Sequence, residues 1–220
     1  MFGRLLVSLL RGDTRQTAGE EPVTTATAIQ MEHQKMPLSI LDPTPALVVI
    51  DLQKGIVADP IAHVVPGAVA LAKAFRERGL PVVLVNVTAS APGRTDANRG
   101  GSGARAFPPG WADIIDELDQ QPGDYLITKR RRSAFHDTGL DTLLRDLGVT
   151  QVVLTGVSSS SGVESTARYA YDYGYHVVFA TDAIADPDPD LHRHCTERAY
   201  PKIGETTTSA EILDFLARRA

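Results

Sequence analysis

Two ionisable residues stand where chemistry is plausible on physical grounds. Asp51 directly follows the apolar run Ala46-Leu-Val-Val-Ile50, and Lys129 directly follows Asp124-Tyr-Leu-Ile-Thr128. Short runs rich in β-branched residues read as strands, so each charge is expected at a strand end, partly removed from water. Desolvation raises the pKa of a carboxyl group, and an ammonium group beside it lowers that pKa. Such a pair can poise a proton donor or acceptor, although the same two residue types also make structural ion pairs and helix caps.

A third feature is Gly156-Val-Ser-Ser-Ser-Ser-Gly162, which follows the run Gln151-Val-Val-Leu-Thr155. Small residues at a strand-to-helix turn let backbone N–H groups approach a negatively charged oxygen. As a serine nucleophile the stretch fits poorly, because Ser160 stands where a nucleophile elbow needs glycine and no histidine is marked as the base. The sequence therefore predicts backbone donors around Ser158, Ser159, Ser160, Ser161 and Gly162 rather than a reactive hydroxyl.

The elements that must position these residues alternate. Strands are expected at 46–50, 82–86, 124–128, 151–155, 176–180 and 205–207, with helices at 67–78, 111–118, 138–147, 162–173, 189–199 and at the C-terminus. Ser161 with Glu164, and Thr208 with Glu211, have the form of capping boxes. This pattern predicts an α/β fold with an open, mostly parallel sheet of about six strands and helices on both faces, whose ligands bind beyond the carboxyl ends of the strands. Asp51, Lys129 and the 156–162 turn all fall there. Residues 87–110 are dense in glycine and proline and read as a long binding loop, in which Arg94 and Arg105 could grip an anion.

Bulk composition narrows the function. The 220 residues, 43% of them hydrophobic, suit one domain with a full core. A net charge of −5 leaves no cation excess for nucleic acid or an anionic membrane, so a small-molecule partner is expected. Cys195 is the only cysteine, which rules out an intramolecular disulfide and suits a reducing, cytoplasmic setting. The domain is expected over 41–220, preceded by a loosely ordered extension over 1–40 in which Met31 or Met36 could be the natural start.

Rival motifs fail on particular residues. Asp51-Leu-Gln53 lacks the second aspartate of an aspartyl-phosphate motif. Asp186, Asp188, Asp190 and Glu197 stand at EF-hand spacings, but Leu191 occupies the position that needs glycine. His192 and Cys195 could share a helix face but lack a third metal ligand, and Arg130, Arg131 and Arg132 read as a solvated rim. No metal or cofactor is expected.

Three blocks together resemble the isochorismatase-like (cysteine hydrolase) superfamily in order and spacing. They are Ala46-Leu-Val-Val-Ile-Asp-Leu-Gln53, Thr128-Lys-Arg-Arg-Arg-Ser-Ala-Phe135 with Thr138 and Leu140, and Leu154-Thr-Gly-Val-Ser-Ser-Ser-Ser-Gly-Val-Glu-Ser-Thr-Ala-Arg168. The likeness continues through Ala180-Thr-Asp-Ala-Ile-Ala185 and Tyr200-Pro-Lys-Ile-Gly-Glu205, so that it spans residues 44–218. It implies a Rossmann-like three-layer sandwich, a dimer or tetramer, and a catalytic pair at Asp51 and Lys129. It also implies a cis peptide near Val157-Ser158, and substrate contacts are expected around Gln53, Phe135 and the serine turn, with Arg94 offered by the long loop.

One departure from the family decides the expected mechanism. Amidase members carry a nucleophilic cysteine at the position matching Gly162, where this chain has no sulfur. True isochorismatases also carry glycine there and act without a covalent intermediate, the aspartate protonating a vinyl ether. Their aromatic-containing turn is here Ser158-Ser-Ser-Ser161, so isochorismate itself is not the implied substrate. The resemblance therefore implies a small-molecule hydrolase working through Asp51 and Lys129. The alternative is a family member that binds a metabolite or partner without turnover.

Overall fold

The structure, a computed structural model, describes residues 38–89, 93–96, 99 and 107–218. The β-branched runs form six strands: β1 Pro45–Ile50, β2 Val82–Val87, β3 Tyr125–Lys129, β4 Gln151–Val157, β5 His176–Ala185 and β6 Glu205–Thr207. They make one sheet in the order β3-β2-β1-β4-β5-β6, and every pairing is parallel. The expectation of a mostly parallel sheet thus becomes an all-parallel one. Connections wind outward in both directions from β1 and β4, so the strand order reverses between them and leaves a crevice at their carboxyl ends.

Five helices cover the sheet: α1 Val65–Glu77, α2 Leu140–Asp146, α3 Glu164–Asp172, α4 Pro189–His194 and α5 Ser209–Arg218. Side chains alternate along each strand, which divides the core in two. Leu47, Val49, Leu84, Val153 and Val178 face Leu71 and Phe75 of α1 and Ile212 and Leu216 of α5. Val48, Ile50, Val85, Leu154 and Phe179 face Leu140 and Leu144 of α2, Ala167 and Ala170 of α3, and Cys195 and Tyr200. Both faces of the central strands are apolar, as buried parallel strands require.

Several boundaries differ from the sequence expectation, and for β5 and the 111–118 segment a tertiary partner takes up the backbone or polar groups. β5 runs on to Ala185 rather than stopping at Ala180. Its polar residues are satisfied in place: the Thr181 hydroxyl donates to Thr207 O at 2.9 Å, and Asp182 accepts from the Ser209 N–H and hydroxyl at 2.7 and 2.5 Å. Of the helix expected over 111–118, only a 3-10 turn at Asp116–Leu118 forms. The stretch before it pairs with the chain after β1, through Gly55 N to Trp111 O, Lys54 N to Asp113 O and Ile115 N to Leu52 O.

The helix expected from Thr138 begins at Leu140, and the helix expected over 189–199 breaks into α4 and a π-type turn, Cys195–Ala199. The capping box expected at Ser161 and Glu164 is absent. A π-type turn, Ser159–Val163, precedes α3, whose N-cap Val163 makes no side-chain capping hydrogen bond, and Glu164 pairs with Arg168 instead. The second box is formed, since Thr208 N donates to Glu211 Oε2 and Glu211 N to Thr208 Oγ1.

The expected extension over 1–40, the two candidate start methionines and Arg105 lie outside the described residues except for 38–40. Those three are fastened to the domain. Leu38 is buried, Ser39 donates through its N–H and hydroxyl to Glu205, and Ile40 O accepts from Gln151 Nε2. Among the described residues no helix is long and apolar enough to cross a membrane.

Candidate active site

Asp51 begins where β1 ends. Its N–H donates to Val85 O and its carbonyl accepts from Gln53 N, both at 2.9 Å, and its φ of +55° turns the chain sharply out of the strand. A non-glycine residue in that region is strained and persists only where its surroundings impose it, commonly at functional sites. Lys129 ends β3, with β2 lying between the two strands. Two strand spacings, about 10 Å, therefore separate the backbones, and the long lysine stem spans the gap.

Lys129 Nζ donates to Asp51 Oδ2 at 2.7 Å and to Arg132 O at 2.9 Å. The side chains are 2% and 9% exposed. Two of the three ammonium protons are thereby used, and Asp51 Oδ1, also buried, has no hydrogen-bond partner among the described residues. Burial raises the Asp51 pKa to about 6, the Lys129 ammonium and its hydrogen bond pulling the other way. A carboxyl group in that range can give up or accept a proton near neutral pH.

The third wall of the site is the turn after β4. Gly156 has φ +106°, and a Cβ there would lie 2.0 Å from Ile50 O, so only glycine lets β4 pass this close to the backbone that presents Asp51. The peptide Val157–Ser158 is cis, as the family resemblance implied. A Cβ on Gly162 would stand 3.1 Å from Asp51 Oδ2, from Ile50 Cγ2 and from Val157 O. Position 162 thus faces the pair directly, and it carries no side chain.

The serines do less at the front of the site than the sequence suggested. Ser159 is fully buried, with its hydroxyl 2.7 Å from His192 Nδ1 and its carbonyl accepting from Tyr200 Oη at 2.9 Å. Ser160 donates from N and Oγ to Asp186 Oδ2 at 2.9 and 2.7 Å. Ser161 N donates to Ser158 O at 3.0 Å, as Val163 N does at 3.1 Å. The N–H groups of 160 and 161, expected to face an oxyanion, are already committed. Ser158 is half-buried at the head of the turn.

The other expected contacts divide. Gln53 is buried and both ends of its amide are bonded: Nε2 donates to Val87 O and Trp111 O, and Oε1 accepts from Val87 N. It clamps the 107–115 segment to β2. Phe135 is buried in the core against the rings of Tyr173 and Tyr175. Arg94 is exposed and takes no part in the hydrogen bonds of the pair. Arg130, Arg131 and Arg132 are exposed, and it is the Arg132 carbonyl, not its guanidinium, that serves the site.

Cys195 is buried in the second core, as expected of a packing residue. Its thiol lies 3.5 Å from Glu164 Oε2, and burial with that carboxylate pushes its pKa up to about 12. Only the thiolate is nucleophilic, so this sulfur is inert at neutral pH. No cluster of three or more His, Cys, Asp or Glu side chains among the described residues could hold a metal. His192 turns to Ser159 and His63 to Pro60 O.

Two residues escaped sequence reasoning, and a third was weighed there only as a metal ligand. Thr166 accepts from Ala134 N at 3.0 Å and donates to Gly162 O at 2.7 Å, tying the segment after Lys129 to the turn that faces Asp51. Asn86, across from Asp51 at the end of β2, holds Ala112 O through Nδ2 at 2.8 Å while its Oδ1 is buried without a partner among the described residues. His192, weighed from the sequence only as a metal ligand, carries no local signal of this contact, because only the return of the chain through β5 and α4 brings it to Ser159. The Thr166 bridge had one: a hydroxyl at i+4 from a helix-start carbonyl can bond back to it.

With this geometry in place, the comparisons are specific. The sequence model of the isochorismatase domain matches residues 45–211. The chain belongs to the isochorismatase family. It is 40% identical over 176 residues to the uncharacterized isochorismatase family protein YwoC of Bacillus subtilis, covering 77% of this chain and 92% of that one. An isochorismatase family protein from Burkholderia thailandensis superposes with a TM-score of 0.76 at 37% identity, covering 82% of this chain and 98% of the other. The N-carbamoylsarcosine amidase of Thermoplasma acidophilum does so with a TM-score of 0.63 at 32% identity, over 76% and 96% of the two chains. The three-layer fold read from the sequence is the fold of these family members.

Proposed function

We propose that this isochorismatase-family hydrolase acts on a small metabolite by acid–base chemistry at Asp51 and Lys129, without a covalent cysteine intermediate. One observation carries the reading: the residue facing Asp51 Oδ2 from the turn after β4 is Gly162, and the chain's only thiol is buried elsewhere with its pKa raised to about 12. Asp51, with its pKa near 6, exchanges the proton, and Lys129 governs how much of the carboxyl is ionised. Water supplies the nucleophile that sulfur supplies in the amidase members. The partner is a small molecule, and the active form is a homo-oligomer in the cytoplasm.

The N-carbamoylsarcosine amidase likeness makes ureides and amides the first compounds to screen, with vinyl ethers beside them because the glycine matches the non-covalent route. In such a screen the active protein loses turnover in Asp51→Asn and keeps it after treatment with a thiol-alkylating reagent. Full activity in Asp51→Asn, or complete inactivation by alkylation, would refute the mechanism. Silence toward every class, together with ligand-induced thermal stabilisation, would instead favour binding without turnover.

A further inference from the structure

The face of the turn that looks away from Asp51 is held by one stretch of chain. Between Asp186 and Tyr200, three side chains reach the turn: His192 at Ser159 Oγ, Tyr200 at Ser159 O, and Asp186 at Ser160 N and Oγ. Ser159 is fully buried, so its hydroxyl has no water to fall back on. Nor do Ser159 and His192 form a nucleophile and base. The hydroxyl is sealed from any substrate, and Asp186, which would orient the imidazole in a triad, spends its carboxylate on Ser160 and on Asp188 N. The pair is placed to hold the turn, three residues from the glycine that faces Asp51.

We propose that His192 is a positioning residue for the active-site turn: its neutral imidazole accepts the Ser159 hydroxyl proton and holds residues 158–162 against Asp51, and protonating His192 releases that hold. A neutral imidazole has one accepting nitrogen, whereas the imidazolium has none. When Nδ1 gains a proton it must donate to Ser159 Oγ, and the serine O–H is turned into a buried space where it needs a new acceptor. The charges that face His192 set where this happens. Partial burial lowers its pKa, Asp186 from the end of β5 raises it, and His63 from the 3-10 turn before α1 lowers it. The inference rests on the reading of the 158–162 turn as part of the active site, and it adds a means by which pH regulates that site.

The test needs no substrate, so its failure is separable from failure of the hydrolase reading. It is a proton–nitrogen NMR titration of full-length protein in the Asp51→Asn background, which removes the titration of Asp51 from the site. The expected result is that the Ser160 and Gly162 amide signals move with the same midpoint as the His192 ring, below the ordinary histidine value. His192→Asn places an amide oxygen near the position of Nδ1 and cannot titrate in this range. It should keep the neutral-pH spectrum and abolish the midpoint at both amides, whereas His192→Leu should shift both at every pH. Asp186→Asn should lower the His192 midpoint and His63→Gln should raise it. Turn amides that ignore the His192 midpoint, or that still titrate in His192→Asn, would overturn the proposal even if His192→Leu proves unstable.

Discussion

Replacing Lys129 by methionine tests the electrostatics on which the hydrolase reading stands. The Asp51 pKa moves from 3.8 to about 6 because burial outweighs the favourable ammonium. That rise of about 2 units corresponds to about 3 kcal/mol between the two protonation states. The folded pKa lies above the unfolded one, so between those values the folded protein holds a proton that the unfolded chain has lost. Stability contributed by this group is therefore complete below about pH 4 and falls by about 3 kcal/mol as the pH rises through 6. Methionine keeps most of the lysine stem's volume and removes the charge, leaving burial unopposed. Asp51 should then titrate well above 6, toward the value of about 8–9 known for fully buried carboxyl groups.

Carbon-13 NMR of the aspartate carboxyl carbons between pH 3 and 9 reads this directly, with Asp51→Asn assigning the signal. At pH 7 the carboxyl should be about tenfold more ionised than protonated in the native protein and largely protonated in Lys129→Met. Urea unfolding adds a second reading, since the stability of Asp51→Asn relative to the native protein should improve as pH rises across the same window. If Asp51 titrates near 4 in the native protein, or if Lys129→Met leaves its midpoint in place, the reasoning fails.

Other positions give sharper structural tests. Gly156→Ala must force a Cβ onto Ile50 O at a φ of +106°, and should cost at least about 3 kcal/mol, read as a fall in the urea midpoint. Thr166→Val removes the hydroxyl that joins Ala134 N to Gly162 O; it leaves a buried N–H unpaired, so a loss of about 1–3 kcal/mol is expected, with faster amide exchange at Ala134. Cys195→Ala should cost about 1–2 kcal/mol through lost packing while leaving any turnover intact, and loss of turnover in a folded Cys195→Ala protein would show that sulfur matters after all.

The strands were legible because their signal is local. A run such as Val82–Val85 is apolar throughout, and a strand buried on both faces needs nothing more. Sequence placed Asp51 and Lys129 at strand ends for the same reason, and the sheet order then brought them to 2.7 Å. For Gln53 and Phe135, position near a catalytic group does not say which way the side chain turns. Gln53 turns to the backbone of the 107–115 segment, and Phe135 turns into the core.

The amino-acid order by itself determined the strand and helix alternation, the family, and the absence of sulfur opposite Asp51, since each is written in residue type and spacing. What only the tertiary structure decided is which groups remain free. The N–H groups of Ser160 and Ser161 are already spent on Asp186 and Ser158, and among the described residues Lys129 keeps one proton unclaimed and Asp51 Oδ1 is buried and unpaired. The same is true of the burial that moves the Asp51 pKa to about 6. Desolvation and hydrogen-bond satisfaction depend on neighbours drawn from distant parts of the chain, and no local pattern encodes them.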